Sequence, residues 1–249
     1  MLEEVLALAK SSERFQAIRD ELGRRGEVTV SGLFTSSSAL LLAYLFDELK
    51  VPLLILTRSI EYAEELREDL CQFVKEAHLL PPPHGDVDLR ESRIMSLSAL
   101  LLGEARVLLV PFDSLLSGLP EPEELKDSII ELASGQQVDL LALVSSLYKR
   151  GYERVGTVEV VGEMALRGGI VDCFPFGYEN PLRVEFSGDR VSSLREFDPL
   201  TQRSLCPLER GRILPFKEPF DLTGRLEAYL PEETVLVLDR TEEVGSPGG

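Results

Sequence analysis

The sequence predicts an α/β protein: a parallel-sheet domain interrupted by an inserted α+β domain with an antiparallel sheet. Three observations carry this expectation. The apolar runs LLIL (53–56) and VLLV (107–110) are interleaved with helical periodicity, the rhythm of parallel strands covered on both faces and joined by crossover helices. Over residues 151–205 the pattern changes to short β-branched and aromatic runs with Gly, Pro, Asn and Asp between them, as in an antiparallel meander. ETVLVL (233–238) then reads again as a parallel-sheet strand. The predicted boundaries are 1–124 for the first part of the α/β domain, 125–206 for the insertion and 207–249 for the return.

The elements follow in order. Residues 2–22 place Leu2, Val5, Leu6, Leu8, Ala9, Phe15, Ile18 and Leu22 at mostly helical spacing, and Gly23 and Gly26 end that pattern, so one or two amphipathic helices open the chain. EVTVS (27–31) alternates like a strand, and an apolar helix then runs to about Lys50. Residues 52–57 read as a buried strand, 61–75 as a charged amphipathic helix, 78–83 as a break, 91–102 as a helix and 106–111 as a strand. GLPEPEE (118–124) is a Pro-rich turn. Beyond it, 128–132 is a strand candidate and 138–150 a helix leading into the meander, whose apolar runs are 158–161, 170–174, 182–186 and 191–197. A helix is expected over 221–229. The terminal GSPGG has no closing element, which suggests a piece of a longer polypeptide.

Composition narrows the function classes. Of 249 residues, 44% are hydrophobic and 28% charged, ordinary for a soluble globular protein. No apolar run approaches the roughly 20 residues that span a bilayer. The first residues carry acids where a secretory signal needs basic ones, so a cytoplasmic location is expected, with no membrane partner. Cys71, Cys173 and Cys206 are too few and too scattered for a disulfide framework or a metal site, and His78 and His84 lack a third ligand. No metal or other cofactor is expected. The net charge is −17, which disfavours a nucleic-acid-wrapping surface. The charge is uneven: residues 1–148 carry −12, 149–205 only −1, and 206–249 carry −4. The meander is therefore nearly neutral inside an acidic protein. Its arginines, at 154, 167, 183, 190 and 195, point to a local protein-contact surface.

Gly32-Leu33-Phe34-Thr35-Ser36-Ser37-Ser38-Ala39 occupies the place of a phosphate-binding loop. The working pattern is G-x-x-x-x-G-K-[ST], in which Lys neutralises phosphate and the hydroxyl binds magnesium. Counting from Gly32, the last three positions here are Ser37, Ser38 and Ala39. The charge is absent, the metal ligand is absent, and no acidic strand end follows at 107–112. These positions predict a degenerate nucleotide loop that binds no ATP, with serines capping a helix start. No catalytic residue is expected, so the chain itself is not an enzyme.

The meander resembles a known family. Gly151-Tyr152, Arg154, Gly162-Glu163, Arg167-Gly168-Gly169, Asp172, Phe174-Pro175, Arg183-Val184-Glu185-Phe186, Gly188-Asp189, Phe197-Asp198-Pro199 and Thr201-Gln202 are similar to the segment shared by the excision-repair protein UvrB and the bacterial transcription-repair coupling factor, Mfd. The lost phosphate loop, and residues 81–91 without the aromatic hairpin of UvrB, match the amino-terminal UvrB-like module of the coupling factor. The resemblance implies a fold like a degenerate P-loop or helicase-type domain with an insertion. It implies UvrA as partner, contacted by Arg154, Arg167 and Phe174. A further UvrB arginine falls on Ala165. In the family the ATP-driven DNA translocase and the RNA polymerase contact lie elsewhere in the polypeptide, so RNA polymerase and DNA are expected partners of a full-length protein only.

The resulting expectation is a UvrA-recruiting module of transcription-coupled nucleotide excision repair. The alternatives are a diverged ATP-binding helicase-like protein and a UvrB-like DNA-damage binder. The module's surface could also be masked by autoinhibition within a longer protein.

Overall fold

The computed structural model describes residues 2–218 and 222–239. Helices α1 (Leu2–Ser11) and α2 (Glu13–Arg25) open the chain, and α2 stops where Gly26, at φ 77°, turns left-handed and donates its N–H to Leu22 C=O. The strand expected over 27–31 does not form. Its residues are largely exposed and have no ladder partner among the described strands. Helix α3 (Thr35–Leu49), strand β1 (Leu53–Thr57), helix α4 (Ile60–Leu70), strand β2 (His78–Leu79), helix α5 (Val87–Leu101) and strand β3 (Val107–Pro111) follow. Ser59 Oγ accepts the Tyr62 N–H to start α4. That helix ends before the expected 75, and β2 lies within the segment read as a break.

Next come α6 (Phe112–Leu116), α7 (Pro122–Ser128), β4 (Ile130–Ala133) and α8 (Leu140–Lys149). The expected Pro-rich turn is in part the start of α7, where Pro122 fits the first turn and Glu123 and Glu124 face its positive end. The meander comprises β5 (Glu153–Arg154), β6 (Glu163–Arg167), β7 (Ile170–Cys173), β8 (Leu182–Ser187), β9 (Arg190–Phe197) and β10 (Ser204–Leu208), followed by β11 (Arg210–Ile213) and β12 (Val235–Leu238). Residues 158–161 are turn rather than strand: the Glu163 carboxylate accepts the N–H groups of Glu159 and Val160 at 2.7 and 3.0 Å. Of the helix expected over 221–229, Asp221 lies outside the described residues. A 3-10 turn, Leu226–Tyr229, is what forms, because Gly224 exchanges backbone hydrogen bonds with Leu119 instead of entering a helix. Residues 245–249 also lie outside the described residues.

The chain falls into two compact units, one drawn from 1–85, 99–117 and 229–249, the other from 86–98 and 118–228. The first holds a parallel sheet in the order β12-β1-β3-β2, with Ile55, Leu109, Ala63, Leu66 and Leu70 in its core. The expected apolar strand 233–238 thus appears as β12, paired with β1. The second unit holds a six-stranded sheet, order β10-β9-β8-β7-β6-β5, antiparallel except for the β5–β6 pair, and a small β11–β4 sheet. The fold is therefore mixed α/β with parallel and antiparallel sheets. Among the described residues no helix is long and apolar enough to cross a membrane.

Gly162 sits where the chain enters β6 at φ 92°, and an added Cβ would lie 2.5 Å from the Phe216 ring. Gly162→Ala combines a left-handed backbone with overpacking, so urea titration should show a loss of about 2 kcal/mol or more. An unchanged midpoint would contradict this packing.

Candidate protein-docking site

Strand pleating gives the six-stranded sheet two unlike faces. Met164, Val171, Cys173, Leu182, Val184 and Leu194 share a core with Leu143 and Leu147 of α8. The opposite face follows the register Ala165↔Asp172↔Arg183↔Arg195, with Arg167↔Ile170↔Glu185↔Ser193 beside it. Charged side chains thus stand directly across from one another on neighbouring strands, and each requires a partner.

Asp172 supplies the central one. Its side chain is 1% exposed, yet both carboxylate oxygens are engaged. Arg183 donates from Nε to Oδ1 at 2.8 Å and from Nη2 to Oδ2 at 2.9 Å, a bidentate fork. Arg167 donates from Nη2 to Oδ2 at 2.5 Å. The Arg183 guanidinium also lies 4.2 Å above the Phe197 ring centroid, and the Asp172 hydrogen bonds raise its pKa despite partial burial. Gln202, at φ 60°, closes the network. Its amide oxygen accepts from Arg167 Nη2 at 3.3 Å and Arg183 Nη2 at 3.4 Å, while its NH2 donates to the carbonyls of Pro199 and Val158. A second pairing joins Arg195 to Glu185, whose carboxylate also accepts from Ser193 Oγ. The Ser193 hydroxyl and then Arg195 hold Glu185 below its ordinary carboxylate pKa.

The three sequence-predicted contact residues occupy different situations. Arg154 is exposed on the edge strand β5 and makes no side-chain hydrogen bond or ion pair among the described residues. Its register partner is Met164, so the pleat sets it on the opposite side of the sheet from Arg167. Arg167 has a side chain 45% exposed: one amino group is held by Asp172, and its remaining donors have no partner among the described residues. Phe174 is only 8% exposed, packed with Val158, Ala165 and Phe197. The structure thus puts the two arginines on adjacent strands, β5 and β6, but on opposite faces of the sheet, and sets Phe174 beneath the surface. Sequence reasoning counted Arg183 only among the arginines of a contact surface and assigned no role to Asp172 or Gln202. An acid flanked by Val171 and Cys173 in a strand was the available signal, since such an acid needs a cationic partner.

At the expected nucleotide loop, Gly32 is exposed at φ 78° and α3 already begins at Thr35. Ser37 Oγ accepts the Phe34 N–H at 2.8 Å and donates back to Phe34 C=O at 2.9 Å, and Ser36 Oγ bonds Asp69 at 2.7 Å. Ala39, in the last of these positions, is fully buried. Among the described residues no cluster of His, Cys, Asp and Glu could hold a metal.

Comparison with known proteins bears on both units. Residues 130–218, which contain the whole arginine-bearing sheet, match the family model described as the UvrB interaction domain. Over 244 residues, 94% of the chain, it is 30% identical to a transcription-repair-coupling factor of Staphylococcus aureus strain MRSA252. The chain resembles the amino-terminal, UvrB-like module of the coupling factors. The corresponding protein of Staphylococcus aureus strain MSSA476 is 29% identical over the same length, and that of Staphylococcus epidermidis 31% identical over 201 residues, 77% of the chain and 17% of that protein. The chain spans about a fifth of the length of the Staphylococcus aureus relatives it matches, 21% in both cases.

Two outcomes follow. Asp172→Ala leaves the poorly exposed Arg183 guanidinium without its counter-ion and should cost about 3–5 kcal/mol in urea titration; wild-type stability would contradict the network. Because Glu185 is depressed in the folded state, its contribution is complete above its ordinary pKa of 4.5 and is lost as pH falls through the lowered value. Acid titration of Glu185→Gln should therefore show a weaker fall in stability below that pH than wild type, and parallel curves would contradict the assignment.

Proposed function

We propose that the chain is a non-catalytic docking module that recruits UvrA, in a protein coupling stalled transcription to nucleotide excision repair. The observation that carries this reading is the edge of the six-stranded sheet, where Arg154 stands free and Arg167 is held with donors to spare. The held Arg167 guanidinium with unspent donors, and the uncommitted Arg154 guanidinium, suit bidentate contact with carboxylates. Arginines of this kind are frequent hot spots of protein interfaces. The match to the UvrB interaction domain over this same sheet supports the choice of partner. Phe174 backs the surface from within its small apolar cluster rather than offering area of its own.

The non-catalytic part of the reading is supported by the start of α3. Asp69 beside Ser36 adds negative charge where a nucleotide phosphate would need positive charge, and no lysine stands at Ser38. RNA polymerase binding, DNA binding and ATP-driven translocation are assigned to other parts of a full-length coupling factor.

Arg154→Ala and Arg167→Ala should each weaken UvrA binding by about 1–3 kcal/mol in titration calorimetry. Both variants should keep the fold, since Arg154 is unpaired and Asp172 retains Arg183. Wild-type affinity in both would overturn the docking assignment, and magnesium-dependent binding of labelled ATP in equilibrium dialysis would overturn the non-catalytic one.

A further inference from the structure

The arginine network reaches one more surface feature. Between β9 and β10 the chain turns through residues 198–203, and Leu200 within that turn is 89% exposed, the largest exposure among the large hydrophobic residues described. An exposed leucine on a loose loop means little, but this turn is rigidly built. Asp198 Oδ1 accepts the N–H groups of both Leu200 and Thr201, at 2.9 and 2.7 Å. The Asp198 backbone bonds both Arg203 and Gln202, at 2.9 and 2.8 Å. The Gln202 amide then ties the turn to Arg167 and Arg183 on one side and to Pro199 and Val158 on the other.

We propose that this turn is part of the UvrA-docking surface, with Leu200 as its apolar anchor and Gln202 as the residue that positions it beside Arg167. This rests on the UvrA reading above. The turn is continuous with that surface through the Arg167–Gln202 hydrogen bond, so a partner carboxylate seated on Arg167 brings its neighbouring surface over Leu200. The occupant is accordingly an acidic UvrA surface with an apolar depression next to its carboxylates. An anchor already fixed in its bound geometry loses little conformational entropy on binding. A leucine left 89% exposed has most of its apolar area to remove from water on contact, and the arginine beside it is of a type enriched at interface centres.

The test is calorimetric titration of the chain with UvrA, comparing wild type, Arg154→Ala, Leu200→Ser, Gln202→Ala and the Leu200→Ser/Gln202→Ala pair. Leu200→Ser should weaken binding about tenfold with an unchanged melting curve, because the side chain touches little of its own fold. If Gln202 positions Leu200, the Leu200→Ser loss should shrink markedly in the Gln202→Ala background. Wild-type affinity in Leu200→Ser, while Arg154→Ala is weakened, would overturn this inference and leave the docking reading intact. Full additivity in the pair would overturn the positioning role. Absence of UvrA binding by wild type would overturn the docking reading and this inference together.

Discussion

A buried carboxylate in a strand constrains everything around it. Asp172 lies between Val171 and Cys173, both buried, on a sheet whose other face packs an apolar core. Removing such a charge from water costs several kcal/mol unless its oxygens are fully occupied by cations and donors. Arg183 and Arg167 meet that requirement from the two flanking strands, and Gln202 adds a second acceptor for the Nη2 groups of both arginines. Strands β6, β7 and β8 and the turn after β9 are thereby held in one arrangement. A hydrophobic residue at this position could be as stabilising, but it would fix neither the arginines nor the turn.

The same arrangement explains how a strongly acidic protein carries a basic-looking surface. Within the sheet the acids do not merely balance the arginines; they aim them. Asp172 takes one amino group of Arg167 and leaves the rest, whereas Glu185 and Ser193 together take both amino groups of Arg195. Arg154, on an edge strand of two residues, forms no ion pair among the described residues. The local charge is close to neutral, so attraction for nucleic acid is weak, while individual guanidinium groups remain directed outward. That combination favours a protein partner with paired carboxylates over a polyanion.

How much of this was legible in the sequence depends on the range of the interactions. The apolar strands β1 and β3 and the helix α8 announce themselves because burial imposes local periodicity. The strand β12 does too, as a return of the same pattern after the insertion, whereas its pairing with β1 is a long-range contact that the pattern does not report. The 27–31 segment misleads because alternation alone cannot report whether a strand lies beside it to pair with. The 158–161 run misleads because a side chain, that of Glu163, captures the backbone donors that a strand would need. Arg154 and Arg167 were readable as arginines in a neutral segment. Their difference, one free and one tethered, depends on Asp172 and on Gln202, which lies 35 residues from Arg167 along the chain, and no local pattern reports such a contact.

The central claim is that the arginine-bearing edge and face of the six-stranded sheet dock UvrA while the start of α3 stays idle. Hydrogen exchange of the chain with and without saturating UvrA tests it most directly. The account predicts slowed exchange at β5, β6 and the 198–203 turn, with residues 32–39 unchanged. Protection confined to residues 32–39 and the parallel-sheet unit, with none on the six-stranded sheet, would contradict it.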